Sequence, residues 1–178
     1  MNKQEIVFKL KADHQSFVDY ILQLSNEEFL AHPPGKWSAG QQLDHIYRSV
    51  KPVAMAFGIP DMFVKMMFGK ANRNSRTYAE IVAKYKQKLT TDYKPNSKFL
   101  PEPVRLDERL SIAKLLILKV GKLCFLVDKC TEEELDTMIL PHPLLGKITL
   151  REMLYFTIYH VEHHLLLTKK YLELVPAH

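Results

Sequence analysis

The sequence predicts an all-α fold, a four-helix bundle with one long crossover connection. Four long segments of the 178-residue chain carry apolar residues at helical spacing. Several segments begin at Ser/Thr-x-x-Glu/Gln, a capping box that satisfies free backbone N–H groups at a helix start. No segment alternates apolar and polar residues between turn residues, so strands are not expected. We therefore predict a single domain, residues 1–178, with a core formed by the apolar faces of four helices.

The four long helices are predicted at about residues 2–24, 38–57, 107–129 and 149–174. Pro52 lacks a backbone N–H and should bend the second helix. Short helices are expected after Ser25 and after Thr131, because each of these residues begins a capping box. Pro176 is expected to follow the end of the last helix.

The long crossover, residues 69–106, should contain one short helix, because Thr77 and Glu80 form a capping box before a helical apolar pattern. Residues 61–68, which precede it, form an apolar extension rich in methionine. The rest of the crossover is expected to be extended because it contains three prolines, Pro95, Pro101 and Pro103.

The composition, 47% hydrophobic and 25% charged residues, is that of an ordinary globular protein. No apolar run approaches the roughly 20 residues of a membrane span. The first residues also lack the apolar stretch of a signal peptide. We therefore expect a cytoplasmic protein without a membrane partner, in which Cys124 and Cys130 are free thiols.

The positive charge is concentrated in the crossover. Residues 69–106 hold nine Lys/Arg and three acidic residues, whereas the whole chain has a net charge of +5. A solvated lysine-rich surface explains this, and so does attraction of an anionic substrate. Interleaved aromatic residues are also found in single-strand nucleic-acid binders. Nucleic acid is nevertheless not the expected partner, because spaced aromatic residues more commonly pack on a bundle; those in question are Tyr78, Tyr85, Tyr93 and Phe99.

Two histidines lie one turn apart on the last helix. At 100° per residue, His160 and His164 fall on the apolar face, and His163 falls at its edge. Arg151 and Glu162 fall on the opposite face, which should meet solvent. Two buried imidazoles must not both be protonated, because like charges repel strongly at low dielectric. A shared metal ion removes this problem, and neutral imidazole is the commonest protein ligand for such an ion.

The position of His45 is ambiguous from periodicity. It shares one face of the second helix with Gln41 and Ser49, whereas the apolar residues of that helix lie opposite. This row either faces solvent or lines a polar pocket. Asp44 is expected to be either a partner of a ligand or a surface residue. His142 lies in a turn and should titrate freely.

Two motifs together resemble the DinB/YfiT-like four-helix proteins. The first is Pro34-Gly35-x-Trp37-Ser38-x-x-Gln41-x-x-x-His45-x-x-x-Ser49. The second is His142-Pro143-x-x-Gly146-Lys147-Ile148-Thr149, followed by His160-x-x-His163-His164. The order of the motifs and the spacing between them fit over nearly the whole chain.

The resemblance implies an up-down-down-up bundle in which one divalent ion is held by His45, His160 and His164. Histidine ligands suit zinc, nickel, copper and iron, of which zinc or nickel is expected here. The chain is similar to proteins described as metal-dependent hydrolases and as transferases that use a low-molecular-weight thiol as co-substrate. Many of these proteins form dimers. The candidate catalytic residues are Gln41 and Ser49, one turn either side of His45, and His163.

Two classes of function fit these residues. The first is an enzyme that acts on a small-molecule substrate, because three protein ligands leave a coordination position open. The second is a non-catalytic module that binds a metal ion or a small ligand in the same pocket. Turnover on a panel of thiols and esters distinguishes the two.

Overall fold

The computed structural model describes residues 1–91 and 97–175. In chain order the helices are α1 (Lys3–Gln23), α2 (Asn26–Leu30), α3 (Ala39–Ala56), α4 (Asp61–Phe68), α5 (Tyr78–Leu89), α6 (Arg109–Lys129), α7 (Glu132–Thr137) and α8 (Leu150–Glu173). A hairpin of two strands, β1 (Ile139–His142) and β2 (Gly146–Thr149), precedes α8. Single 3₁₀ turns lie at Ser97–Phe99 and Leu106–Glu108.

The four long predicted helices are confirmed as α1, α3, α6 and α8. The expected capping boxes form at α3, α5, α7 and α8, where a Ser or Thr side chain accepts from the third helical N–H. The short helices after Ser25 and Thr131 are also confirmed, as α2 and α7. Local capping chemistry therefore determined where these helices begin. Tyr93, Pro95 and Pro176, which carried predictions, lie outside the described ranges, as do two of the charged residues counted in the crossover, Asp92 and Lys94.

Contacts between helix ends give the direction of α1 relative to two other helices. The amino group of Met1 lies 3.2 Å from the hydroxyl of Tyr155, near the start of α8, so α1 and α8 are parallel. The Lys3 ammonium donates to the carbonyl of Cys130 at 2.8 Å, just beyond the end of α6. Helix α6 is therefore antiparallel to α1.

Helices α3 and α8 are antiparallel, because Gln42 meets His164 whereas His45, further along α3, meets the earlier residue His160. Together these directions give the up-down-down-up order, which confirms the predicted fold class. Side chains from all four long helices form the core and are at most 1% exposed: Leu10, Phe17, Leu43, Ile46, Leu116, Leu123, Leu154 and Ile158.

The expectation that the chain has no strands is wrong at one place. Strands β1 and β2 pair antiparallel, with Leu140 opposite Ile148. Each strand has only four residues, too few for an alternating pattern to be recognised in the sequence. Gly146 closes the turn at a φ of +76°, a conformation that glycine adopts without steric cost.

Residues 61–68, which precede the crossover, form a separate helix, α4, and the crossover contains the predicted short helix, α5. A completely buried carboxylate ties the crossover to α8. Glu152 accepts from the guanidinium of Arg73 at 2.6 and 2.8 Å and from the backbone N–H of Arg76 at 2.6 Å. Part of the basic charge of residues 69–106 is therefore paired inside the protein.

Arg151 does not face solvent as its helical position suggested. It is only 7% exposed, and its guanidinium is paired with Glu132 and Asp136 of α7. The short helix α7 thus covers the start of α8. A helical wheel of α8 alone cannot show this contact, because it does not include α7. No helix among the described residues is both long and apolar enough to cross a membrane.

Candidate metal centre

The three predicted histidines meet in the interior of the bundle, between α3 and α8. The Nε2 atom of His45 lies 3.2 Å from Nε2 of His160, which lies 3.0 Å from Nε2 of His164. All three ligand atoms lie within 4.8 Å of one another, and the three residues are between 4% and 8% exposed. This arrangement confirms that the three side chains converge, and it could hold a metal ion.

Two of the imidazoles are oriented by oxygen atoms on their outer side. The Nδ1 atom of His45 lies 2.7 Å from the carbonyl oxygen of Phe99. The Nδ1 atom of His164 lies 2.5 Å from Oε1 of Gln42. An oxygen acceptor requires a proton on Nδ1, so the Nε2 atoms of neutral His45 and His164 carry lone pairs that face the centre.

A shared cation accounts for this protonation pattern better than hydrogen bonds among the three imidazoles do. A neutral His160 has at most one proton on Nε2, whereas two lone pairs, from His45 and His164, face that atom. Burial holds the pKa of His160 and of His164 well below the usual range, and the neighbouring imidazoles lower it further. Burial also lowers the pKa of His45. The three rings are therefore neutral, which is the form that binds metal.

Two of the three distances between the nitrogens also suit a common ion. Two nitrogens bound to one ion at ~2.0–2.1 Å are separated by roughly 2.8–3.4 Å when the bond angle lies between a right angle and the tetrahedral value. The separations of 3.2 Å and 3.0 Å fall in this range. The donor set, all imidazole nitrogen, is typical of zinc, nickel, copper or iron.

A cavity of about 560 Å³ opens beside the three histidines, which form part of its wall. This volume is typical of sites for small molecules. The side toward the hairpin and the end of α3 is apolar and is formed by Val53, Ala56, Leu140, Leu144, Met153 and Phe156. At the other side lie Trp37 and Lys36, whose ammonium is 5.8 Å from the ring of Tyr171.

The three candidate catalytic residues have different surroundings. Ser49 and His163 line the cavity. Gln41 is not among the described residues that line it; its side-chain oxygen instead accepts from the backbone N–H of Ser38 at 3.1 Å in the capping box of α3. Helical periodicity left open whether the polar row of α3 faces solvent or lines a pocket. At His45 and Ser49 the row lines the cavity.

Asp44 is not a partner of the histidine cluster. Its carboxylate accepts from Arg48 at 2.6 Å and from the backbone N–H of Glu102 at 3.1 Å. It joins α3 to the segment that leads into α6, and it is nearly buried.

Sequence reasoning missed the residues that orient the ligands. Helical geometry favoured Gln41, one turn before His45, although Gln42 lies near the same face of the helix. A carbonyl such as that of Phe99 has no side-chain signature and cannot be identified from sequence. His142 was expected to titrate freely, which is wrong: burial, with the charge of Lys84, lowers the pKa of His142 to about 4.

Comparisons with known proteins agree with this architecture. The sequence profile of the DinB superfamily matches residues 9–167, a range that contains all three histidines. A conserved protein from Enterococcus faecalis, known from its crystal structure, is similar with a TM-score of 0.63 and 16% identity over 98% of each chain. At this identity the likeness concerns the fold alone. A comparison with curated proteins finds no match. Since the profile covers most of the chain, including both histidine-bearing helices, the chain belongs to the DinB superfamily.

Proposed function

We propose that the protein is a metal-dependent enzyme that binds one divalent ion, zinc or nickel, through His45, His160 and His164. The reaction is either the hydrolysis of a small substrate or the transfer of a low-molecular-weight thiol to that substrate. The observation that carries this proposal is the convergence of three neutral Nε2 atoms within 4.8 Å at the wall of a small-molecule cavity. A purely structural ion would not need such a cavity beside it.

A divalent ion at this position supplies a Lewis acid, which favours the deprotonated form of a thiol or water and polarises a carbonyl group. The chain contributes position and environment. Gln42 and the carbonyl of Phe99 fix the tautomers of two imidazoles, so the cluster is ordered before substrate arrives. Ser49 and His163 line the cavity and offer hydrogen-bonding groups close to the cluster.

The apolar side of the cavity favours a substrate with an apolar group. Val53, Met153 and Phe156 present no hydrogen-bonding side chain, so they exclude water and stabilise hydrocarbon or aromatic surface. The exposed ammonium of Lys36, near the opposite side, suits a negatively charged group on a co-substrate.

The experiment compares metal-loaded wild type with His45→Ala and with His32→Ala, a matched control at an exposed histidine. All three are assayed on a panel of thiols with electrophiles and on simple esters. We expect turnover by wild type and His32→Ala and only background rates with His45→Ala. Background rates for all three proteins, together with tight ligand binding to wild type, would favour the non-catalytic binding module.

A homodimer and a cytoplasmic location are further parts of the proposal. Helix α6 exposes Leu118 and Phe125, at 64% and 60%, and a second copy would cover such apolar side chains. Sedimentation equilibrium should then give twice the mass of the chain, and Leu118→Glu should reduce it to one chain. A single-chain mass for wild type would contradict the dimer. The cytoplasmic location is tested separately, by fractionation of cells.

A further inference from the structure

The imidazole of His142 has one nitrogen engaged in the hairpin turn. Its Nδ1 atom lies 3.1 Å from the backbone nitrogen of Leu144 and 3.0 Å from that of Leu145. Both backbone nitrogens are donors, so Nδ1 is the acceptor and the proton of the neutral ring lies on Nε2. The turn thereby selects one tautomer, in which Nε2–H is a hydrogen-bond donor.

This donor is unpaired in the part of the chain that the structure describes. Among the described residues, only Nδ1 of His142 forms hydrogen bonds. The Nε2 atom is not among the fully buried side-chain atoms without a partner, so Nε2 keeps some exposure. His142 lines the same cavity as the three histidines, on the hairpin side. The ring is neutral at neutral pH, since the pKa of His142 is lowered to about 4.

The ring of Phe156 contacts both His142 and His160. Its ring centroid is 4.2 Å from that of His142, in an edge-on arrangement, and 4.8 Å from that of His160, in a stacked one. A molecule that reaches from His160 to His142 therefore runs beside an aromatic ring. Such a molecule needs an apolar stretch between its two polar ends.

We propose that His142 determines substrate specificity by donating its Nε2–H to a carbonyl oxygen of the substrate, beside Phe156 on the hairpin side of the cavity. The inference rests on the proposed function and narrows its substrate to compounds in which an apolar stretch separates a metal-binding group from a carbonyl group. A neutral donor in a mostly apolar wall suits an uncharged acceptor, because burial of an anion there costs more than one hydrogen bond returns, and the nearby Lys84 ammonium already donates to the carbonyl oxygen of Leu145 at 2.7 Å.

Two substitutions separate the roles of the two ring nitrogens. In His142→Asn, the carboxamide oxygen can replace Nδ1 as acceptor for the turn, but no donor reaches the position of Nε2. In His142→Gln, the longer side chain can place an N–H near that position, but the acceptor for the turn is lost. A loss of carbonyl recognition in His142→Asn that is absent in His142→Gln would therefore be due to the lost donor and not to a changed turn.

The probes are phenylalkyl hydroxamates, whose hydroxamate group binds the metal ion, and a matched set with one ketone at successive positions along the alkyl chain. Affinities are measured by calorimetry on zinc-loaded wild type, His142→Asn and His142→Gln, with the zinc content of each determined. We expect the best ketone probe to bind wild type and His142→Gln about 10-fold more tightly than its parent, the effect of one hydrogen bond. His142→Asn should bind both alike.

Other results would overturn the proposal in distinguishable ways. If wild type prefers no ketone probe, if His142→Asn keeps the preference, or if both variants lose it, His142 is not the donor, and the metal site is unaffected. If the parent hydroxamates do not bind zinc-loaded wild type, the open coordination position fails, and the inference fails with it.

Discussion

Gln42 is completely buried, and its carboxamide oxygen holds His164 so that Nε2 faces the other two imidazoles. Among the described residues, the Nε2 atom of Gln42 has no hydrogen-bond partner, which costs stability. A buried amide with one unsatisfied end is better explained by the orientation of a ligand than by packing. We therefore expect Gln42 to influence the proposed metal binding more than it influences stability.

We expect Gln42→Leu to lower the affinity for zinc about 10- to 100-fold, the usual effect of losing an acceptor that orients a ligating histidine. Competition with a chelating dye measures this affinity. Gln15→Leu, at an exposed glutamine of α1, is the control and should bind zinc like wild type. Equal affinities for Gln42→Leu and wild type would show that the oxygen of Gln42 does not support the site.

His14 makes stability depend on pH. It is completely buried, its Nδ1 lies 2.8 Å from the carbonyl oxygen of Leu10, and burial lowers the pKa of His14 from 6.5 to about 4. Between these values the unfolded chain binds the proton more tightly than the folded chain does. The contribution of His14 is thus fully present above pH 6.5 and is lost as the pH falls toward 4, by about 3 kcal/mol in all.

Urea denaturation of the metal-free protein between pH 7 and pH 4.5 tests this. The free energy of unfolding should fall less steeply with acidification in His14→Leu than in wild type. The comparison concerns the slope, because the substitution also changes packing and hence the absolute stability. Parallel curves for the two proteins would mean that His14 is not held neutral by the fold.

Single residues of the site were predictable to different degrees. His160 and His164 follow from helical periodicity, because the opposite face of α8 is charged. His45 was ambiguous, because α3 buries both its apolar face and, beside the cavity, its polar row. Gln42 and the carbonyl of Phe99 depend on contacts between segments distant in sequence, which periodicity does not encode.

At the scale of elements, Gly40 and Gly121 differ in the space around them. A Cβ atom on Gly40 would lie 2.9 Å from the ring of Phe29 and 3.1 Å from Cβ of Val104, both buried. Gly121 has nothing within 4 Å of such an atom. Gly40 is therefore required for the close approach of α2 to α3. Gly121 has no such packing role, and its low helix propensity lowers the stability of α6.

We expect Gly40→Ala to lower the free energy of unfolding by about 1–3 kcal/mol through overpacking. Gly121→Ala should raise it by about 0.5–1 kcal/mol, because alanine favours a helix over glycine. Chemical denaturation measures both changes, and each variant is the control for the other. The same sign of change in both variants would contradict the packing described at α3.

The elements themselves were predicted well where capping is local. The starts of α3, α5, α7 and α8 each follow from a Ser or Thr and a Glu or Gln three residues later. The hairpin was missed because its strands are held by pairing with each other and by the link from Leu150 N–H to the carbonyl of Met138. Such pairing is a tertiary contact that short apolar runs do not reveal.

At the scale of the whole molecule, we expect the core of the bundle not to depend on the proposed metal ion. Buried Leu, Ile, Val and Phe side chains extend along all four long helices. Each contributes about 1.5–3 kcal/mol on burial. The topology could be predicted from the family resemblance, whereas the packing of α5 over the cavity, with Tyr85 buried against Phe156, could not.

Removal of the metal ion should therefore leave the fold intact. We expect the chelator-treated protein to keep its helical circular dichroism and to melt cooperatively at a lower temperature than the loaded protein, because the ion binds the folded state. Complete unfolding on chelation would mean that the ion is structural, which would contradict the proposed enzyme.

The central claim is that His45, His160 and His164 hold one divalent ion, and metal stoichiometry tests it most directly. Elemental analysis of dialysed wild type should give one zinc or nickel ion per chain. His160→Ala should keep its helical spectrum and lose the ion, whereas His32→Ala, at an exposed histidine, should retain it. Equal metal content in wild type and folded His160→Ala would contradict the claim.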